Sequence, residues 1–270
     1  MKHNARLAPK RFLQYTCACI LPAVILALAT VPALAADEAP AKELLLKMAN
    51  FLAKAPAFSV TMRSGYDAVQ EDGQVIEFGE RRRILLQRPD RVRIEVERSD
   101  GDQGLVIFDG KGITVFKADD NLYARAEKPG TLDEAVVYLV KDLQMTLPLA
   151  RMFRSDLPQD LEQQVTTISY VEKNFLFDVP TDHLAVRSAD VDMQIWIAQG
   201  EQPLPRRVIL TYRNAPGRPQ FRADFLDWSL SPAIPADSFT FTPPADAEQI
   251  PFIARVHRKD SLPAQQGGRQ

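Results

Sequence analysis

One short stretch, Arg91–Glu97, limits the fold more than any other part of the chain. Val92, Ile94 and Val96 alternate strictly with Arg91, Arg93, Glu95 and Glu97. Successive side chains of a strand point to opposite faces, so this segment has one wholly apolar face and one wholly charged face. A sheet built from such strands has one wet side and one side that must be covered. The cover is either a second sheet or a layer of helices.

The neighbouring segments continue the pattern. Phe58, Val60, Met62 and Tyr66 share one phase, and Ile76, Phe78, Ile84 and Leu86 share another after the turn Glu71-Asp72-Gly73. Leu105–Phe108, Ile113–Phe116 and Leu122–Ala126 follow, separated by Asp109-Gly110-Lys111 and Asp119-Asp120-Asn121. Connections this short join antiparallel neighbours. Strands resume with Val165–Glu172 and continue through Gln220–Leu230. Within the last of these, Phe221, Ala223 and Phe225 keep one phase while Leu226, Trp228 and Leu230 take the other. A phase change inside a strand predicts a bulge. Phe239-Thr240-Phe241-Thr242 is expected to be a final strand, stopped by Pro243-Pro244.

Helical periodicity appears in two places. Leu44, Leu45, Met48, Phe51 and Leu52 predict a helix over 41–54, between Pro40 and Pro56. Thr131-x-x-Glu134 has the form of a capping box and opens a stripe of Leu132, Ala135, Val136, Leu139, Val140 and Leu143. This second helix interrupts the strands and is the expected cover.

The N-terminus predicts export. Lys2, Arg6, Lys10 and Arg11 precede a charge-free run, Phe12 to Ala35, that ends Ala33-Leu34-Ala35. Basic start, apolar run and small residues at the cut are the features of a cleavable signal peptide. The expected organisation is therefore a signal peptide over 1–35, one domain over 36–250, and a polar, disordered tail over 251–270. Cys17 and Cys19 both fall in the signal, so the mature chain has no disulfide to rely on. No later apolar run is long enough to span a bilayer, and the mature form is expected not to cross a membrane. Four of the 33 bases and none of the 35 acids lie in residues 1–35, which leaves 29 against 35 and a net charge of −6. That balance argues against nucleic acid as a partner.

Catalytic signatures are missing. There is no nucleophile elbow, phosphate loop or dinucleotide fingerprint. Only His183 and His257 follow the signal, so no zinc-type His/Cys cluster can form. His183 lies in strand-like sequence and is read as a structural histidine. Neither a cofactor nor a metal is expected, and an enzyme is the least supported reading.

Several segments resemble the bacterial LolA and LolB lipoprotein carriers. They resemble more closely a domain-of-unknown-function family of predicted periplasmic proteins, numbered 2092. The matching segments are Phe58-Ser59-Val60, Gln87-Arg88-Pro89-Asp90, Phe108-Asp109-Gly110-Lys111, the insert from Thr131 to Phe153, and Phe239 to Pro244. Ile195-Trp196-Ile197 and Pro203-Leu204-Pro205-Arg206-Arg207 fit the numbered family rather than the carriers.

The resemblance implies an α+β fold: a curled antiparallel β half-barrel with a helical lid on its concave face. It also implies a cavity that shields acyl chains, with Arg88 latching the lid. The expected ligand-binding residues are Arg88, Val92, Ile94 and Val96 on the sheet and Val136, Leu139, Val140 and Leu143 on the lid. The expected function is sequestration of a hydrophobic ligand, a lipid or lipoprotein acyl chain, in the periplasm. The alternative is an envelope sensor or assembly module that acts through protein contacts.

Overall fold

A computed structural model describes residues 38–252 apart from Gln144 and Thr146. The expected signal peptide and the chain beyond Phe252 lie outside the described residues. Twelve strands form one sheet: β1 (Ala57–Val69), β2 (Val75–Gln87), β3 (Arg91–Arg98), β4 (Gln103–Phe108), β5 (Gly112–Lys117), β6 (Leu122–Glu127), β7 (Thr167–Leu176), β8 (Val179–Arg187), β9 (Val191–Ala198), β10 (Pro205–Tyr212), β11 (Gln220–Ser229) and β12 (Glu248–Gln249). Their order is β12-β6-β5-β4-β3-β2-β1-β11-β10-β9-β8-β7. All pairs are antiparallel except β12 on β6. The two ends of the order do not pair, so the sheet curls without closing into a barrel.

The two meanders read from the sequence are thus joined through β1 and β11. The predicted phase change is a real bulge. Ser59 faces Ser229 but Thr61 faces Leu226, so β11 carries an extra residue there, and Asp227 takes a positive φ of 53°.

Helix α1 (Glu38–Lys54) buries Ala41, Leu45, Met48, Ala49 and Leu52. It packs on β7 and β9. Helix α2 (Leu132–Val137) opens with the predicted capping box. The Glu134 N–H donates to Thr131 Oγ1, and Glu134 Oε2 accepts from the Thr131 N–H at 2.7 Å. The expected helix through Leu143 does not stay α-helical: after Val137 it widens to a π-turn, Tyr138–Asp142. A 3₁₀ turn (Ala150–Phe153) and α3 (Leu157–Gln164) complete the cover. Apolar residues of all these elements join the sheet's Phe58, Val60, Leu86, Val92, Phe108, Leu184, Ile195 and Phe225 in one core.

The expected final strand is not one. Residues 239–244 run unpaired across the back of the sheet. Phe241 packs on Phe116 and Tyr123 at ring separations of 5.6 and 5.3 Å. Arg91 lies over the Phe239 ring. The strap then rounds the β6 edge through β12, and Phe252 is buried in the core, beyond the boundary expected at residue 250.

Candidate functional site: the covered face of the sheet

Residues directly opposed in antiparallel strands share a face, so the register sorts the covered side into rungs. The first rung is Phe58, Leu86, Val92, Phe108, Ile113 and Ala126. The second is Val60, Ile84, Ile94, Val106, Val115 and Ala124. Both are wholly apolar. The third, Met62, Arg82, Val96, Gly104, Lys117 and Leu122, is mixed. The fourth, Ser64, Glu80 and Arg98, is polar.

The sheet residues expected at the site therefore differ from one another. Val92 is buried in the first rung. Ile94 is half-buried in the second and packs against the core. Val96 is half-buried between Arg82 and Gly104, where the face turns ionic. On the cover, Val136 is buried, while Leu139, Val140 and Leu143 are half-buried against the same core. Val106, Val115 and Ala126 are also only partly covered. The β3–β6 half of the face is thus an apolar surface with incomplete cover.

The polar rungs are internally paired. Arg82 bridges Glu80 at 2.6 Å, and the Ser64 hydroxyl donates to the same carboxylate at 3.3 Å. Lys117 donates to Asp120 at 2.8 Å and lies 3.6 Å from Asp102. The bond to Asp120 raises the Lys117 ammonium above the ordinary lysine value.

Arg88 sits at a junction of three elements, and its peptide bond to Pro89 is cis. Its backbone N–H donates to Pro56 O at 2.8 Å, and Pro89 O accepts from the Leu132 N–H at 2.9 Å. Its guanidinium donates to Leu52 O, near the end of α1, at 3.3 Å. The Arg88 side chain thus bonds α1 rather than the 132–143 segment, which was its expected partner, and that segment is met by the Pro89 carbonyl. Burial holds the guanidinium below the ordinary arginine value, and the Asp133 carboxylate opposes that shift. Asp133 in turn accepts from the Ser155 N–H and hydroxyl, which ties α2 to the turn before α3.

His183 stacks on Trp196 with ring centroids 4.0 Å apart and pairs with Gln194 at 3.1 Å. Burial lowers its pKa. Tyr170 is pushed up to about 12 by burial and by its bond to Asp182. Among the described residues no group of three or more His, Cys, Asp and Glu could hold a metal, and no helix is long and apolar enough to cross a membrane.

Sequence reasoning missed two surface features. One is the tip of the β7–β8 hairpin, where Phe175 is 77% exposed and Phe177 50% exposed. An isolated aromatic in a strand pattern gives no sign of which end of the sheet it occupies. The other is a groove of about 440 Å³ beside α1, lined by Phe51 and by Leu230, which is 179 residues later in sequence.

Comparison with known proteins places the chain. The family model described as "Predicted periplasmic protein (DUF2092)" matches residues 41–253. No curated protein matches. Among solved structures, LprF from Mycobacterium bovis is similar at 8% identity and a TM-score of 0.47, covering 74% of this chain and 98% of that one. A LolA superfamily protein from Nitrosomonas europaea is similar at 14% identity and a TM-score of 0.38, covering 74% and 97%. The Pseudomonas aeruginosa MucA/MucB complex is similar at 16% identity and a TM-score of 0.41, covering 75% and 61%.

Proposed function

This chain belongs to the DUF2092 family of predicted periplasmic proteins, and on that premise we propose that it is exported and holds a hydrophobic ligand, a lipid or lipoprotein acyl chain, against the covered face of its sheet. The observation that carries this reading is the incomplete cover of the second rung. Ile94, Val106 and Val115 on the sheet, and Leu139, Val140 and Leu143 on the cover, remain partly exposed although all are apolar and pack against the same core. Removing an acyl chain from water yields ~0.8 kcal/mol per CH₂, so burial of about ten carbons exceeds the lower range of association costs.

The test is lipid extraction and native mass spectrometry of protein purified from the periplasm. A bound lipid is expected in the wild type. It is expected to be lost in Ile94→Asp, which places a charge among apolar groups, and largely kept in Val96→Asp, one rung further among ions. Wild-type protein without lipid, or equal loss in both folded variants, would refute the proposal.

A second reading, an envelope module acting through protein contacts, is favoured by the β7 edge, which no strand pairs among the described residues. That edge ends the sheet, and Val171, Phe175 and Phe177 are all exposed there. In the same purification, a protein that accompanies the wild type but not Phe175→Asp would support it.

A further inference from the structure

The C-terminal half of α1 carries chemistry that the covered face does not use. Lys47, Asn50, Phe51 and Lys54 are spaced i, i+3, i+4 and i+7 and share one side of the helix. With Ala55, Pro56 and Leu230 they line the groove of about 440 Å³, within the size range of small-ligand sites. The floor is apolar, since Phe51 and Leu230 are half-buried and pack against the core.

The rim is cationic. Lys47 and Lys54 are exposed, and among the described residues no carboxylate lines the groove. Among the described residues neither lysine has a hydrogen bond or ion-pair partner. Lys117 on the covered face, by contrast, is engaged by Asp120 and Asp102.

We propose that this groove binds an anionic amphiphile, with its tail over Phe51 and Leu230 and its phosphate or carboxylate between Lys47 and Lys54. Seven residues of helix separate the two lysines by about 10.5 Å along the axis. Their long stems can lie along apolar surface and bring both heads toward the position above Phe51. The end of α1 opposes an anion with roughly half an elementary charge, and two ammonium groups outweigh it. The site is separate from the sheet's covered face and stands whether or not that face holds a ligand.

Dodecyl phosphate, kept below its micelle concentration and at low ionic strength, is titrated calorimetrically into the full-length exported chain. Dodecyl maltoside is the uncharged comparison. The double variant Lys47→Gln/Lys54→Gln is expected to bind dodecyl phosphate about tenfold more weakly and dodecyl maltoside unchanged. Leu230→Ser is expected to weaken both. Ile94→Asp removes any share of binding that falls on the covered face and is expected to keep the lysine-dependent preference for dodecyl phosphate over dodecyl maltoside, which separates this groove from that face. Equal affinity of the double variant and the wild type for dodecyl phosphate would overturn the proposal. So would binding only to phosphatidylglycerol vesicles and not to the monomeric amphiphile, which would make the lysines a membrane contact.

Discussion

Replacing Arg88 with leucine tests how the junction between the two helical elements is held. Among the described residues the guanidinium makes one hydrogen bond, to Leu52 O at 3.3 Å. A charged donor to a neutral acceptor contributes about 1.5–3 kcal/mol at good geometry, and 3.3 Å is beyond the optimum. A cation at a helix C-terminus adds about 0.3–1 kcal/mol. Against these stands the cost of keeping a guanidinium partly out of water, which is what lowers its pKa. Leucine leaves few orphans behind. Leu52 O still accepts from the Ala55 N–H at 3.3 Å, and Asp133 still holds Ser155. The backbone bonds of residues 88 and 89 to Pro56 and Leu132 persist. The net loss is about 1 kcal/mol, or roughly 2–4 °C in melting temperature for a domain of this size. Affinity for an environment-sensitive apolar dye is expected to change less than about tenfold, since one bond rather than a set is lost. Thermal melting and dye titration of Arg88→Leu beside the wild type check both figures. A loss above about 3 kcal/mol would show a buried ion pair with Asp133 as the dominant interaction and refute this accounting. An unchanged melt and affinity would show that the side chain contributes nothing.

Phe58 is fully buried and sits between Trp228 and Phe153, at ring separations of 5.4 and 5.8 Å; Phe58→Ala is expected to cost about 3–5 kcal/mol, read by urea unfolding, and a cost below about 1 kcal/mol would mean that the cover collapses onto the gap. Asp67 is buried, which by itself raises its pKa, yet its bonds to Arg222 and the Gln220 N–H bring the net value below the ordinary carboxylate range. Its stabilising contribution is therefore complete above the unfolded-state pKa of about 3.9 and fades as pH falls through the lower folded value. Asp67→Asn is expected to be less stable near neutrality and to lose less stability between about pH 5 and pH 2, measured by urea unfolding at each pH; parallel wild-type and variant curves would refute the linkage.

How far the sequence could be read depended on whether a feature was local. The alternation at Val92, Ile94 and Val96 is a property of one strand, and so are the capping box at Thr131 and the phase change near Trp228. All three reappear in the fold as a one-sided strand, a capped helix and a bulge. Pairing is not local. β1 joins β2, which follows it directly, and β11, more than 150 residues away, and nothing in the phase of either strand records that choice. Arg88 is a similar case: its neighbour Pro89 was visible, but its acceptor lies 36 residues earlier, on α1. The segment from Phe239 misled for a different reason. A chain lying extended across a sheet alternates as a strand does, because every second side chain points into the surface beneath it. Here Phe239 and Phe241 meet Arg91, Phe116 and Tyr123 instead of a hydrogen-bonded partner.

The rungs also constrain how the proposed ligand would lie. Along a strand the apolar surface of β2–β5 is short. One step of two residues, about 7 Å, leads from Ile94 to Val96, and there Arg82 and Lys117 flank the path. Across the strands it stays apolar. The second rung is apolar from Val60 through Ile84, Ile94, Val106 and Val115 to Ala124; Val60, Ile84 and Ala124 are already buried, and the partly exposed stretch from Ile94 to Val115 spans two strand spacings or about 10 Å. A hydrocarbon chain of any length would meet desolvated ions if it ran parallel to β3, at a cost per buried charge that exceeds the gain from several methylenes. Lying across the strands, it stays over apolar side chains. The same geometry explains why Ile94 and Val96, two residues apart with their side chains on one face, belong to different environments and should respond differently to the same aspartate.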